Sequence, residues 1–332
     1  MNTTIKDFYF VYFPIGYDFI QTMLSTFKYV PKKTNIIVVT NHPEVLDNIQ
    51  VDFNLIILNL DDLRDEWSKE NEILIYEIDA QEYRNRSSEF QKNGIRFPYA
   101  FHRCILPWLA ERNINKFAII DTDCLINYRN ELELVLDNQS KDFGNDKIIF
   151  GPTMNTTSYR DEFIKLSADT LNKYNIDIDI IKNMPDQYYC FDGWLRGFWF
   201  DSPNDTILFY NLWNEILKKS YEYKTHLIYQ NVHAISDEWL HGLVSYIFSQ
   251  KCNAIVKDYY YNSFRIVTHI YHPENYYFKL PHGLYHTHYE MISTESRKEF
   301  FEKNREKIIK FYTNQNSIEE HRIKEVIHDW YE

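Results

Sequence analysis

The chain has 332 residues, 44% of them hydrophobic, which supplies a core for one large α/β domain or two small ones and excludes a disordered polymer. Its formal charge of −12, from 36 basic and 48 acidic residues, excludes a sequence-independent grip on nucleic acid or on an anionic membrane. Cys104, Cys124, Cys190 and Cys252 are too scattered for a disulfide framework or a zinc-thiolate site, so a reducing, cytoplasmic setting is expected.

The 27 Tyr and 23 Phe stand against only 8 Gly, a bias that fits an AT-rich coding sequence with some contribution from ligand-stacking aromatics. The first seven residues are polar, and the apolar segment 8–15 is short and lacks a basic flank. Neither a signal peptide nor a transmembrane segment is therefore expected.

Residues 8–13 are rich in β-formers and stop at Pro14 and Gly16, which predicts a first strand and a loop. Helical spacing follows over 17–29 and ends at Pro31. Residues 35–40 and 53–60 are predicted as buried strands, with a further strand at 73–78. This order opens a nucleotide-binding α/β layer, yet no Gly-x-Gly-x-x-Gly and no P-loop occurs. A dinucleotide dehydrogenase and a P-loop kinase are disfavoured accordingly. Residues 96–113 carry Phe97, Phe101, Cys104, Ile105, Trp108 and Leu109 at three-and-four spacing, a helix with Pro107 as a kink or weak final turn.

The segment 116–126, Lys-Phe-Ala-Ile-Ile-Asp-Thr-Asp-Cys-Leu-Ile, is the most strand-like run in the chain. Four consecutive apolar residues predict a strand covered on both faces. In extended backbone Asp121 and Asp123 share a side, and two such carboxylates repel unless a cation lies between them. An Asp-rich strand-ending turn is the plain alternative.

A polar stretch over 127–146 precedes a short strand at 147–150. Residues 153–190 read as loops plus a helix around 163–171. Residues 194–201 are predicted as a later strand, interrupted at Gly197 by the close approach of a backbone or ligand. Ser202-Pro203-Asn204-Asp205 starts a helix to about 220, and Ser236-Asp237-Glu238 another through 249. Residues 257–264 form a tyrosine-rich strand or loop. Five of the twelve histidines, His269, His272, His282, His286 and His288, then fall within twenty residues. From 293 the chain is charged and helical, with Ser317 and Glu320 as a capping box. The expected organisation is one catalytic domain over 1–290 and a helical extension over 291–332.

Asp121 and Asp123 are hard oxygen donors for Mg²⁺ or Mn²⁺, and an imidazole from His286 or His288 would tilt the choice to Mn²⁺. Together, the Arg103-bearing segment 97–107 and the Asp-x-Asp segment 115–126 resemble the helix-plus-strand core of nucleotide-sugar glycosyltransferases of the GT-A fold. The resemblance is clearest over about thirty residues. It implies an α/β fold with a mixed, mainly parallel central sheet flanked by helices. It further implies a nucleoside diphosphate sugar, UDP-linked, as donor and a glycan hydroxyl as acceptor.

Carried over residue by residue, the resemblance implies Asp121 and Asp123 on the metal and, with Thr122, on the donor. His286 or His288 becomes the third protein ligand. Tyr12, Phe13 and Thr40 are implied at the nucleotide, and Arg103 at the donor sugar or phosphates, with a structural ion pair as its rival role. Asp237 and Glu238 resemble an acidic pair that supplies the acceptor-side base, although acids in a first helical turn also serve the helix dipole. Asp192 is a second candidate beside the sugar. Trp194, Trp199 and Trp239 read either as sugar-stacking surfaces or as core. The chain departs from one retaining family, because Gly283 directly follows His282 and no Lys comes after it, so the stereochemistry stays open. A sugar nucleotidyltransferase shares fold and metal, but residues 13–17 lack the glycine- and basic-rich loop it needs. A non-catalytic carbohydrate-binding protein on the same scaffold is the remaining alternative. The sequence leaves the oligomeric state open.

Overall fold

A computed structural model describes residues 7–14, 20, 23–24, 27, 30, 32–71, 75–77, 95–97, 101–120, 124–126, 143–151, 153–157, 160–191, 195–222, 237–258 and 267–269. Apolar runs give β1 (Tyr9–Tyr12), β2 (Asn35–Thr40) and β3 (Asn54–Asn59), followed by helix α1 (Leu60–Asn71). β4 (Ile75–Glu77) and β5 (Ile95–Phe97) precede α2 (Phe101–Glu111), which leads into β6 (Lys116–Ile120) and β7 (Cys124–Ile126). Next come β8 (Ile148–Gly151), β9 (Thr153–Thr157), α3 (Arg160–Lys173), α4 (Asp179–Lys182), β10 (Gln187–Phe191) and β11 (Leu195–Trp199). α5 (Pro203–Glu222), α6 (Asp237–Cys252), β12 (Ile255–Asp258) and β13 (Val267–His269) complete the described elements.

Seven strands form one sheet in the order β12-β8-β11-β6-β1-β2-β3. β1 is parallel to β2 and β6, β2 to β3, and β12 to β8, whereas β11 runs antiparallel to both its neighbours. The fold is therefore α/β with a mostly parallel, mixed sheet. All six residues of β2 are buried, as a strand covered on both faces requires.

Alternation along the strands divides the core in two. Val11, Ile37, Ile119 and Phe198 belong to one cluster with Trp67 of α1, Ile105 and Leu109 of α2, Phe163 of α3, Trp213 of α5 and Val244 of α6. Each such side chain, fully buried, contributes about 1.5–3 kcal/mol. On the other face Phe8 lies 5.3 Å from Phe10 and 6.2 Å from Trp199, and Phe143 lies 5.3 Å from Phe150, measured between ring centroids. At the sheet's lower edge Lys147 Nζ donates to Asp205 Oδ1 at 2.9 Å, and the Ser202 hydroxyl donates to the other carboxylate oxygen at 3.1 Å. This pins the start of α5 to the start of β8. The hydrogen bond to Asp205 holds the Lys147 ammonium above its usual range.

Several expectations are corrected. The helix predicted from 96 begins at Phe101, and Ile95–Phe97 is instead a strand paired with Ile75–Glu77. The proline at 98 explains the break, because it forces the residue before it out of the helical region. The strand expected at 73–78 belongs to this separate two-stranded sheet and not to the main one. α1 had no counterpart in the sequence reading. Its apolar residues are sparse, and its start is capped by Asn59, whose side-chain oxygen accepts from the Asp61 amide at 2.9 Å. β9 and β10 pair antiparallel within the region expected to hold only loops and a helix. The approach at Gly197 comes from a side chain, since a Cβ there would fall within the Phe150 ring. The helix expected at 17–29 lies largely outside the described residues, and the extension 291–332 wholly outside them. Among the described residues no helix is long and apolar enough to cross a membrane.

Candidate active site

The chain runs from β1 outward to β2 and β3, then returns to lay β6 against the other side of β1. Such a reversal leaves a crevice at the carboxyl ends of the two central strands, where ligands of α/β sheets bind. Register sharpens the location. Tyr12 is the partner of Ile120, and Leu195, the first residue of antiparallel β11, pairs with Ile120 from the other side. Asp121, Thr122 and Asp123 follow β6 directly in sequence, and Asp192 follows β10, three residues before β11; all four lie outside the described residues, as do His286 and His288.

The helices reach the same edge. α2 ends just before β6 begins, so Arg103, eight residues back, stands about 12 Å up the helix, close to the level where β6 ends. α6 likewise ends just before β12, a strand parallel to β8, so Asp237 and Glu238 in its first turn stand at the carboxyl edge. Their side chains are outside the description. A histidine also lies on β13, whose His269 is the backbone partner of Cys124, the residue after Asp123. The first of the five clustered histidines is thus the one the described backbone brings beside the Asp-x-Asp segment. The sequence pattern does not single out His269 from the five histidines, because a three-residue strand has too little pattern to recognise.

Tyr12, Phe13 and Thr40 are all buried. Phe13 packs in the helix-side core. The Thr40 hydroxyl donates to the Pro14 carbonyl at 2.8 Å and accepts from the His42 amide at 3.3 Å, which ties the end of β2 to the loop after β1. Beyond it, His42 Nδ1 and Glu44 Oε1 lie 3.2 Å apart with 29% and 56% of their side chains exposed, an open polar pair at this edge that the sequence reading did not select.

Arg103 is fully buried. Its Nη2 lies 2.8 Å from Nδ1 of His241, itself fully buried on α6, and its guanidinium stands 5.7 Å from the Trp213 ring centroid. An arginine has no acceptor, so Nη2 donates, Nδ1 accepts, and the imidazole carries its proton on Nε2. The His241 ring is held between Phe198 and Phe209, at 5.6 and 5.4 Å between centroids. A second buried guanidinium belongs to Arg196, the cross-strand partner of Ile119 and so on the same face of the sheet. Neighbouring Cys104 is no nucleophile, because burial pushes its thiol far above the usual range. Trp199 is core, packed on Phe8 and Phe143 with the Lys116 ammonium 4.4 Å from its ring centroid. Trp194 lies outside the described residues and the Trp239 side chain is not described. Among the described residues no three His, Cys, Asp or Glu side chains gather as a metal site.

No protein-family model matches this chain, and a search of curated proteins finds no match to it.

Proposed function

We propose that the chain is a metal-dependent glycosyltransferase of the GT-A type that moves a sugar from a UDP-linked donor to a hydroxyl of a glycan or similar acceptor. The observation that carries the reading is the convergence on one sheet edge. The strand that leads into Asp121-Thr122-Asp123 ends at the switch point of a mixed sheet, with the first turn of α6 and a C-terminal histidine strand at the same edge. A mixed, mainly parallel sheet flanked by helices is also what the family resemblance implies.

On this reading Asp121 and Asp123, with a histidine of the 269–288 segment, hold Mn²⁺ or Mg²⁺, which neutralises charge on the departing diphosphate. Tyr12 and Phe13 shape the nucleotide end from within the core, and Thr40 keeps the loop that follows β1 in place. Asp237 or Glu238 accepts the acceptor's hydroxyl proton while the acceptor oxygen bonds to the sugar's anomeric carbon and the bond to the diphosphate breaks. Asp192 adjoins the sugar. Donor hydrolysis measured over a panel of nucleotide sugars tests the reading. The double substitution Asp121→Asn with Asp123→Asn is expected to lower the Mn²⁺-dependent rate at least about 100-fold, as is a chelator. A double variant with undiminished turnover would sink the proposal.

A further inference from the structure

The buried contact between Arg103 and His241 joins two helices that share no other role in the proposed chemistry. Arg103 belongs to α2, the helix that leads through a three-residue turn to Asn115 and then into β6. His241 belongs to α6, and on that helix Asp237 and Glu238 precede it by four and three residues, one turn nearer the helix start. A charged group without open surface, 2.8 Å from a neutral imidazole, has a strong and directional bond in low dielectric. The rings of Phe198 and Phe209 hold the imidazole from β11 and α5, so it has little room to follow another partner.

We propose that Arg103 and His241 form a buried tether that positions the first turn of α6, with Asp237 and Glu238, relative to the strand leading into Asp121. The assignment rests on the glycosyltransferase reading for the role of those two carboxylates. It makes Arg103 a positioning residue that acts through His241. Helix propensity does not fix that turn by itself, because the first four amides of a helix lack intrahelical acceptors and the end frays unless something outside holds it. The neighbouring strand β6 needs no such help, being paired on both sides.

Amide hydrogen exchange on the full chain tests the tether. His241→Phe keeps a ring between Phe198 and Phe209 but accepts no hydrogen bond, His241→Gln restores an acceptor, and Arg103→Met removes the donor at similar length. The amides of residues 241–243 bond to the carbonyls of 237–239 and so report on the first turn alone. In His241→Phe and Arg103→Met their exchange is expected to accelerate at least about tenfold, while residues 247–250 stay unchanged and His241→Gln stays within about threefold of wild type. Equal acceleration along the whole helix, or none at all, overturns the proposal. In donor hydrolysis, His241→Phe is expected to lose about tenfold in kcat with KM within about twofold. A raised KM with kcat intact overturns it in favour of a direct donor contact. If the wild-type chain hydrolyses no nucleotide sugar, the enzymatic reading fails, and the exchange pattern alone then decides whether the tether exists.

Discussion

Phe150 and Gly197 are partners across the β8–β11 pair, and the ring covers the glycine on the face away from the main helix cluster. That ring has nowhere to go. Phe150 is fully buried, with Phe143 at 5.3 Å and Phe8 at 6.5 Å between centroids. Gly197→Ala is therefore expected to cost about 3 kcal/mol by overpacking. Adding Phe150→Leu should return part of that loss, since substitutions in direct contact couple. Urea unfolding of the two single variants and the double variant checks this. Strictly additive losses would show that the glycine is needed for something other than room for Phe150. The outcome also separates packing from ligand approach, one of the two readings the bare sequence offers, because a ligand contact would reduce donor binding and leave stability unchanged. His241 makes a related point at this scale. Its bond to Arg103 spans 138 residues, so no periodicity or local motif announces it.

Three of the helices share an ending that the composition explains. Asn113, Asn175 and Asn253 have φ of 57°, 52° and 52°, the left-handed region, and each follows the last turn of a helix. After α2 the Ile114 amide donates to the Leu109 carbonyl at 2.9 Å and the Asn113 amide to Ala110 at 3.0 Å. The same pair of bonds recurs after α3, through Ile176 to Leu171 and Asn175 to Asn172, and Ala254 donates to Ser249 after α6. These are Schellman ends, with Ile114 and Ile176 turned back into the core that contains Leu109 and Leu171. In a chain with only 8 Gly, asparagine fills the position glycine usually takes. Asn→Gly at any of the three is expected to be neutral or to stabilise by up to about 1 kcal/mol, and Asn→Val to cost about 1–2 kcal/mol. Urea midpoints measure both, and a glycine variant that loses more than the valine variant would contradict the cap assignment. Elements with a strong local signal were legible in the sequence: the apolar runs of β2 and β6, and α5 with its Ser-Pro-Asn-Asp start. The elements that escaped are those whose order comes from a distant partner. β13 exists through β7 and β9 through β10, while α1 shows only a few apolar residues and one capping asparagine. The candidate site divides in the same way, since the Asp-x-Asp pair is written locally whereas the approach of α6 and β13 depends on topology.

At the scale of the whole molecule, charge and sheet topology make the last prediction. A chain of formal charge −12 repels a nucleoside diphosphate, and the proposed site adds carboxylates at Asp121, Asp123, Asp237 and Glu238 on one edge of the sheet. On the proposed reading, binding an anionic donor there would require a divalent cation held by Asp121 and Asp123 to offset the repulsion. A ligand at a hundred times its Kd stabilises the native state by about 2.7 kcal/mol. For a domain of this size that corresponds to a rise in Tm of about 5 °C. A thermal-shift screen with Mn²⁺ should therefore give that rise for one class of nucleoside diphosphate sugar, and under about 1 °C for the same compound with chelator. The free nucleoside diphosphate should reproduce most of the shift, because on the proposed reading a cation held by Asp121 and Asp123 would act on the diphosphate and not on the sugar. A shift that is equal with and without Mn²⁺ would place the donor's phosphates on protein cations instead. In that case the two carboxylates after β6 would revert to what an isolated Asp-x-Asp most simply is, the turn that ends a strand.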